Sequence, residues 1–220
     1  MEDPITKYKA CLARYLPQEA VEPMFVLLTQ TNKVRFRITR GRRSKLGDYR
    51  CPYDGHECHE ITVNGDLNPH YFLLVLLHEV GHLNTWKLHR GHVSPHGHEW
   101  QQEYRSLLTT YLELFPPDVA VLIAQYVRYL PLNRALARQI EMQLRHYDKN
   151  YNPDQDVTLD TLPIGTCFRI KDRNFPTLQS LEKRRTRYKC RDVKSGALYL
   201  VSGTAPVEVA DDRAGCRHGE

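Results

Sequence analysis

Two histidines four residues apart, with a glutamate directly after the first, form the sequence His78-Glu79-Val80-Gly81-His82. On a helix, residues i and i+4 project from one face, so both imidazoles can converge on one ion. Glu79 is turned about 100° from His78. It therefore lies beside such an ion, where it can hold a water and accept its proton. That is the mechanical content of the HExxH zinc hydrolase motif, in which the metal lowers the water pKa towards about 7. The preceding run Phe72-Leu-Leu-Val-Leu-Leu77 reads as a buried helix, and two unpartnered imidazoles at its end would be costly without a metal.

A catalytic site of this kind needs a third protein ligand and an open position. Nine of the eleven histidines lie between His56 and His98, so candidates abound. The metzincin pattern would place Gly at 85 and His at 88; Thr85 and Leu88 exclude it. His89, if helical, shares a face with His82 but stands about 10 Å further along. His92, His96, His98, Glu99 and Glu103 remain. Chemistry ranks His96 first, because the following Gly97 would let the backbone pass close to the first helix. Glu103 on the next helix ranks second, and His92 in the loop third. A separate zinc knuckle from Cys51, Cys58, His56 and His59 is disfavoured, since no second cysteine pair follows.

The elements that would position these groups can be read along the chain. Pro4 to about Leu28 is helical with an interruption at Pro17. Residues 33–38 alternate, with Val34, Phe36 and Ile38 facing in, as in a half-buried strand. Lys45–Arg50 and His59–Asn64 suggest two more strands. Asn68-Pro69 starts a helix from His70 to about His89. A His-rich loop follows to Pro95, then helices over 99–115, 118–129 and 133–147. Residues 148–160 read as a linker, and short β-rich runs at 165–170, 185–193, 197–202 and 206–209 as a small barrel-like antiparallel module. The expected class is α+β: domain 1–150, β-module 158–210, and a tail 211–220.

Composition bounds the partners. The longest apolar runs fall far short of the roughly 20 residues of a membrane span, so no membrane is expected. With no apolar N-terminal stretch, no secretory signal is expected either, and the expected localisation is cytoplasmic. The six cysteines then read as reduced thiols. Net charge is only +5, but cations cluster in Lys33–Arg50 and Lys183–Arg191. Either patch could bind DNA or another polyanion, or simply be a solvated strand face. Tyr188, inside the second patch, reads better as a core or cross-strand residue than as a base-stacking one.

His78-Glu-Val-Gly-His82 with His96-Gly-His-Glu-Trp100 resembles the SprT-like (Spartan) family of metalloprotease domains. Lys45–Arg50, His59–Asn64 and Leu67-Asn-Pro69 match it in character, and the likeness covers roughly 20–115. It implies a zincin-like domain, a small sheet with an HExxH helix and packed helices. It also implies a single zinc held by His78, His82 and His96, with Glu79 as catalytic base. The implied activity is zinc-dependent cleavage of protein substrates, including proteins bound or crosslinked to DNA. The alternative is a nucleic-acid-associated regulatory protein whose zinc fold is structural. Many SprT-like proteins end in a zinc ribbon with two cysteine pairs. Cys167, Cys190 and Cys216 cannot supply them, so the β-module is expected to hold together by packing.

Overall fold

The structure, a computed structural model, describes residues 3–30, 34–42, 45–52, 58–149, 151–152, 157–171 and 175–210. Lys33, Arg43, His56, Cys216 and the tail 211–220 lie outside the described residues. The chain is α+β and divides into two compact units, Met1–Lys149 and Asn150–Glu220.

In the first unit, helices α1 (Pro4–Leu12) and α2 (Val21–Thr29) precede a three-stranded mixed sheet. Strand β1 (Val34–Thr39) runs parallel to β3 (His59–Asn64), and β2 (Gly47–Arg50) runs antiparallel to β3 on its other side. The strand β3 is therefore central and β2 an edge. Alternation in β1 leaves Arg35 and Arg37 exposed while Val34, Phe36 and Ile38 are half-buried. The strand β3 is covered on both faces: Ile61 and Val63 are fully buried, and so are Thr62 and Asn64. Asn64 is satisfied because its amide donates to the carbonyls of Arg42 and Lys45, and its oxygen accepts from Arg42 Nε at 2.9 Å. One buried side chain thus ties down the segment leading into β2.

Helix α3 (Pro69–His89) is the axis of this unit. Asn68 caps it, accepting from the Tyr71 amide at 2.9 Å, and its own amide donates to the Leu144 carbonyl and to Asp148. Pro69 occupies the first turn, where its missing N–H costs nothing. Phe72 to Leu77 are all buried, as expected of a helix apolar on every side. Arg90, left-handed at φ 51°, ends the helix. Helices α4 (His98–Thr110), α5 (Pro117–Tyr126) and α6 (Arg134–Arg145) complete the unit, and their buried residues join the same core. No helix among the described residues is long and apolar enough to cross a membrane.

The second unit is a five-stranded antiparallel sheet in the order β7 (Leu198–Ser202), β6 (Arg187–Asp192), β5 (Leu178–Lys183), β4 (Cys167–Ile170), β8 (Val207–Val209). Among the described residues β7 and β8 are edges, so the sheet is open rather than a closed barrel. Strand β5 was not expected from sequence. Its inward positions are Leu178 and the polar Ser180, 1% exposed, and the register shifts between Ser180 and Glu182, which breaks the apolar alternation. Phe168, Leu178, Cys190 and Val207 form the core with Tyr188, which is 3% exposed. The expectation of six thiols needs correction: Cys11, Cys51, Cys58 and Cys190 are free, but Cys167 is disulfide-bonded.

Candidate metal centre

His78 and His82 sit one turn apart on α3, and the loop between α3 and α4 returns to place His96 against both. The His96 Nε2 lies 3.0 Å from Nε2 of His78 and 3.0 Å from Nε2 of His82. All three ligand atoms fall within 4.8 Å of one another. Two nitrogens about 2.0–2.1 Å from one tetrahedral ion would stand ~3.3 Å apart, so the donor set fits zinc in type and spacing. Three imidazoles so crowded cannot all be hydrogen-bonded to one another, since His96 Nε2 carries either one proton or one lone pair yet faces two nitrogens at 3.0 Å. Burial first, then the neighbouring imidazoles, push His78 down to about 3 and His82 to about 4; burial lowers His96 as well. The rings are therefore neutral at physiological pH, the state in which imidazole is a metal ligand.

The geometry of the third residue differs from the sequence expectation. The left-handed residue is His96 itself, at φ 58°, while Gly97 has φ −66° and precedes the first turn of α4. A Cβ on Gly97 would come 2.9 Å from the Ser94 carbonyl oxygen, so the close approach is within the loop, not to α3. The strained His96 is held by Gln101, whose amide donates to the His96 carbonyl at 3.1 Å while its oxygen accepts from the Leu132 amide at 2.8 Å.

Trp100 forms a wall common to the three ligands, with ring centroids 4.6, 5.2 and 4.6 Å from His78, His82 and His96. It also accounts for Gly81 within the motif: a Cβ there would lie 3.2 Å from Trp100 Nε1. On the opposite side Tyr49 of β2 lies nearly parallel to His82, 6.3 Å away at 7°, and its hydroxyl is 2.9 Å from His59 Nδ1. Trp86 meets His59 edge-on.

Glu79 is 6% exposed beside this cluster. Burial, then the nearby Asp48 carboxylate, pushes its carboxyl up to about 8, against a smaller pull from Arg42 and Lys45. A cation held by the adjacent imidazoles would draw it back down. The carboxyl is packed against Gly47, where a Cβ would fall 2.4 Å from Glu79 Oε1 and 2.8 Å from Val75 Cγ1. Gly47→Ala is accordingly expected to displace Glu79 while leaving the three histidines in place. Zinc content should be unchanged, stability should fall by about 1–3 kcal/mol, and any hydrolysis should drop on the order of 100-fold. Thermal unfolding and a cleavage assay on the same preparation check it. An isolated glycine in a strand is the sequence signal for such an approach. Tyr49 and Gln101 carried no comparable signal.

The other candidates do not join the cluster among the described residues. His98 is exposed, its Nε2 2.9 Å from the Gln102 amide. His92 is exposed in the loop, His89 occupies the last turn of α3, and Glu99 and Glu103 are half-buried on α4. His59 and His70 sit at the starts of β3 and α3. A cleft of about 740 Å³ opens over the three histidines, with Glu79, Tyr49 and Gly47 in its wall.

Both basic patches are part paired and part exposed, with Arg35 and Arg40 exposed in the first. In the first, Arg42 is spent on Asn64 and Thr62, Lys45 and Arg50 both pair with Asp48, and Arg37 pairs with Glu60. In the second, Lys183 pairs with Asp160 and Arg191 with Gln179, while Arg184, Arg185 and Arg187 are exposed.

No protein-family model matches the chain, and no curated protein or solved structure matches it.

Proposed function

We propose that this protein is a zinc-dependent peptidase with a zincin-like first unit of SprT-like type, acting on protein substrates that include proteins bound or crosslinked to DNA. The observation that carries the reading is the meeting of three neutral imidazole nitrogens beside one buried carboxyl, at the floor of an open cleft. His78, His82 and His96 would hold the metal and leave a position open towards the cleft. Zinc bound there supplies Lewis acidity, which polarises a peptide carbonyl and makes water acidic near neutral pH. Glu79 takes the proton from the attacking water onto its carboxylate and returns it to the leaving amine. Gly47 keeps the carboxylate placed, and Trp100 and Tyr49 restrict the rotation of the ligand rings. A chelator should abolish cleavage of a denatured protein, and added zinc should restore it. Cleavage indifferent to the chelator would contradict the proposal.

The exposed Arg184, Arg185 and Arg187 support a second reading, a nucleic-acid-associated regulatory protein, and also a DNA-dependent form of the first. Neutralising all three should weaken DNA binding and flatten its salt dependence, with a slope change of up to about 0.9 per lost phosphate contact. Binding with an unchanged slope would exclude this surface.

A further inference from the structure

A second cavity, of about 390 Å³, meets the cleft at His78, Glu79 and Trp100 and extends away from it beneath α6. Its size falls at the lower end of the ~300–1,000 Å³ typical of ligand sites. Its walls are apolar: Leu74 and Val75 from α3 and Ile140 from α6, with the phenol rings of Tyr71, Tyr104 and Tyr126 between them. A phenol is protonated at physiological pH, so these three rings leave the wall uncharged. Lys45 reaches the rim but is already paired with Asp48 at 2.7 Å. Glu141 stands at the outer edge, exposed and flanked on its own helix by Arg138 and Arg145.

Two features tie this cavity to a substrate rather than to the general packing of the core. The proposed base and one proposed ligand are part of its wall, so a peptide bond placed for attack has its neighbouring atoms at the cavity mouth. Gly47 lines both spaces, and a Cβ there would meet both Glu79 and Val75. The missing side chain keeps the passage open. We propose that this cavity selects one substrate side chain next to the scissile bond, accepting a large apolar or aromatic group and rejecting an acidic one. A carboxylate entering it would lose its water among neutral walls and meet Glu79 at the inner end and Glu141 at the outer.

The inference rests on the metal site proposed above, and its test separates the two. Amino-acid hydroxamates carrying methyl, isobutyl, benzyl or carboxymethyl side chains are titrated calorimetrically into the zinc-loaded full chain, alongside the matching amides, which lack the chelating group. Burial of the larger apolar groups should tighten binding on the order of 10- to 100-fold over methyl in both series, with carboxymethyl weakest. Ala137, also in the cavity wall and half-buried on α6, gives the control. Ala137→Leu should reduce the preference and Ala137→Trp remove it, with zinc content and unfolding temperature recorded for both. Equal affinities across the side chains, or a preference that survives both variants, would overturn the subsite. Hydroxamates no tighter than their amides would instead overturn the metal site, leaving the side-chain order to decide the cavity.

Discussion

Replacing His96 with alanine is expected to leave a folded protein that no longer retains zinc through dialysis and no longer cleaves. His78 and His82 alone offer two donors, and both lie on one helix turn, so they close only one side of an ion. His96 supplies the second side, and it does so from a left-handed backbone conformation that costs about 1–2 kcal/mol in a residue other than glycine or asparagine. That strain is held by Gln101, whose amide donates to the His96 carbonyl, and by the His96 ring packed on Trp100. Alanine at 96 loses the ligand and its ring contact but keeps the hydrogen bond to its backbone carbonyl. The core of the first unit contains none of the three ligands. Circular dichroism should therefore be near normal while metal content collapses. A variant that keeps its zinc would transfer the third position to another residue, with Glu103 or His92 next to examine.

Glu79→Gln is expected to separate metal binding from chemistry. Glutamine has the shape of glutamate, so the packing against Gly47 and Val75 survives, and the three imidazoles are untouched. What disappears is the ability to take a proton, and general-base catalysis contributes about 10²–10⁴-fold. Stability should be equal or higher. The Glu79 carboxyl sits in the metal-free fold with its pKa raised to about 8, above its value in an unfolded chain. It therefore favours unfolding increasingly as pH rises through the interval between the two values, and glutamine removes that penalty. A variant equally stable, equally loaded and nearly inert would place Glu79 in the chemistry rather than in the architecture.

The parts legible in the sequence were those set by local spacing. His78 and His82 follow from a helical repeat that a capped, apolar segment makes secure, and Asn68 and Arg90 bound that helix close to where the pattern ends. The rest of the site depends on long-range pairing. Tyr49 reaches His82 only because β2 pairs with β3 so that Tyr49 faces Ile61 in register. Nothing near Tyr49 in the chain encodes that. The pairing inside the first basic patch is hidden for the same reason: counting cations does not reveal that Arg42 is anchored by Asn64 and Thr62, about twenty residues away. Strand β5 escaped because a buried serine and a register shift erase the period on which strand recognition depends. The metal ligands, by contrast, carry their chemistry in the residue type.

The most direct test measures zinc content and cleavage of a denatured protein, with and without DNA, on wild-type and Glu79→Gln preparations side by side. The account predicts a single zinc in both and cleavage in the wild type alone. Equal cleavage by the two proteins, or a wild type that binds no zinc, would contradict it.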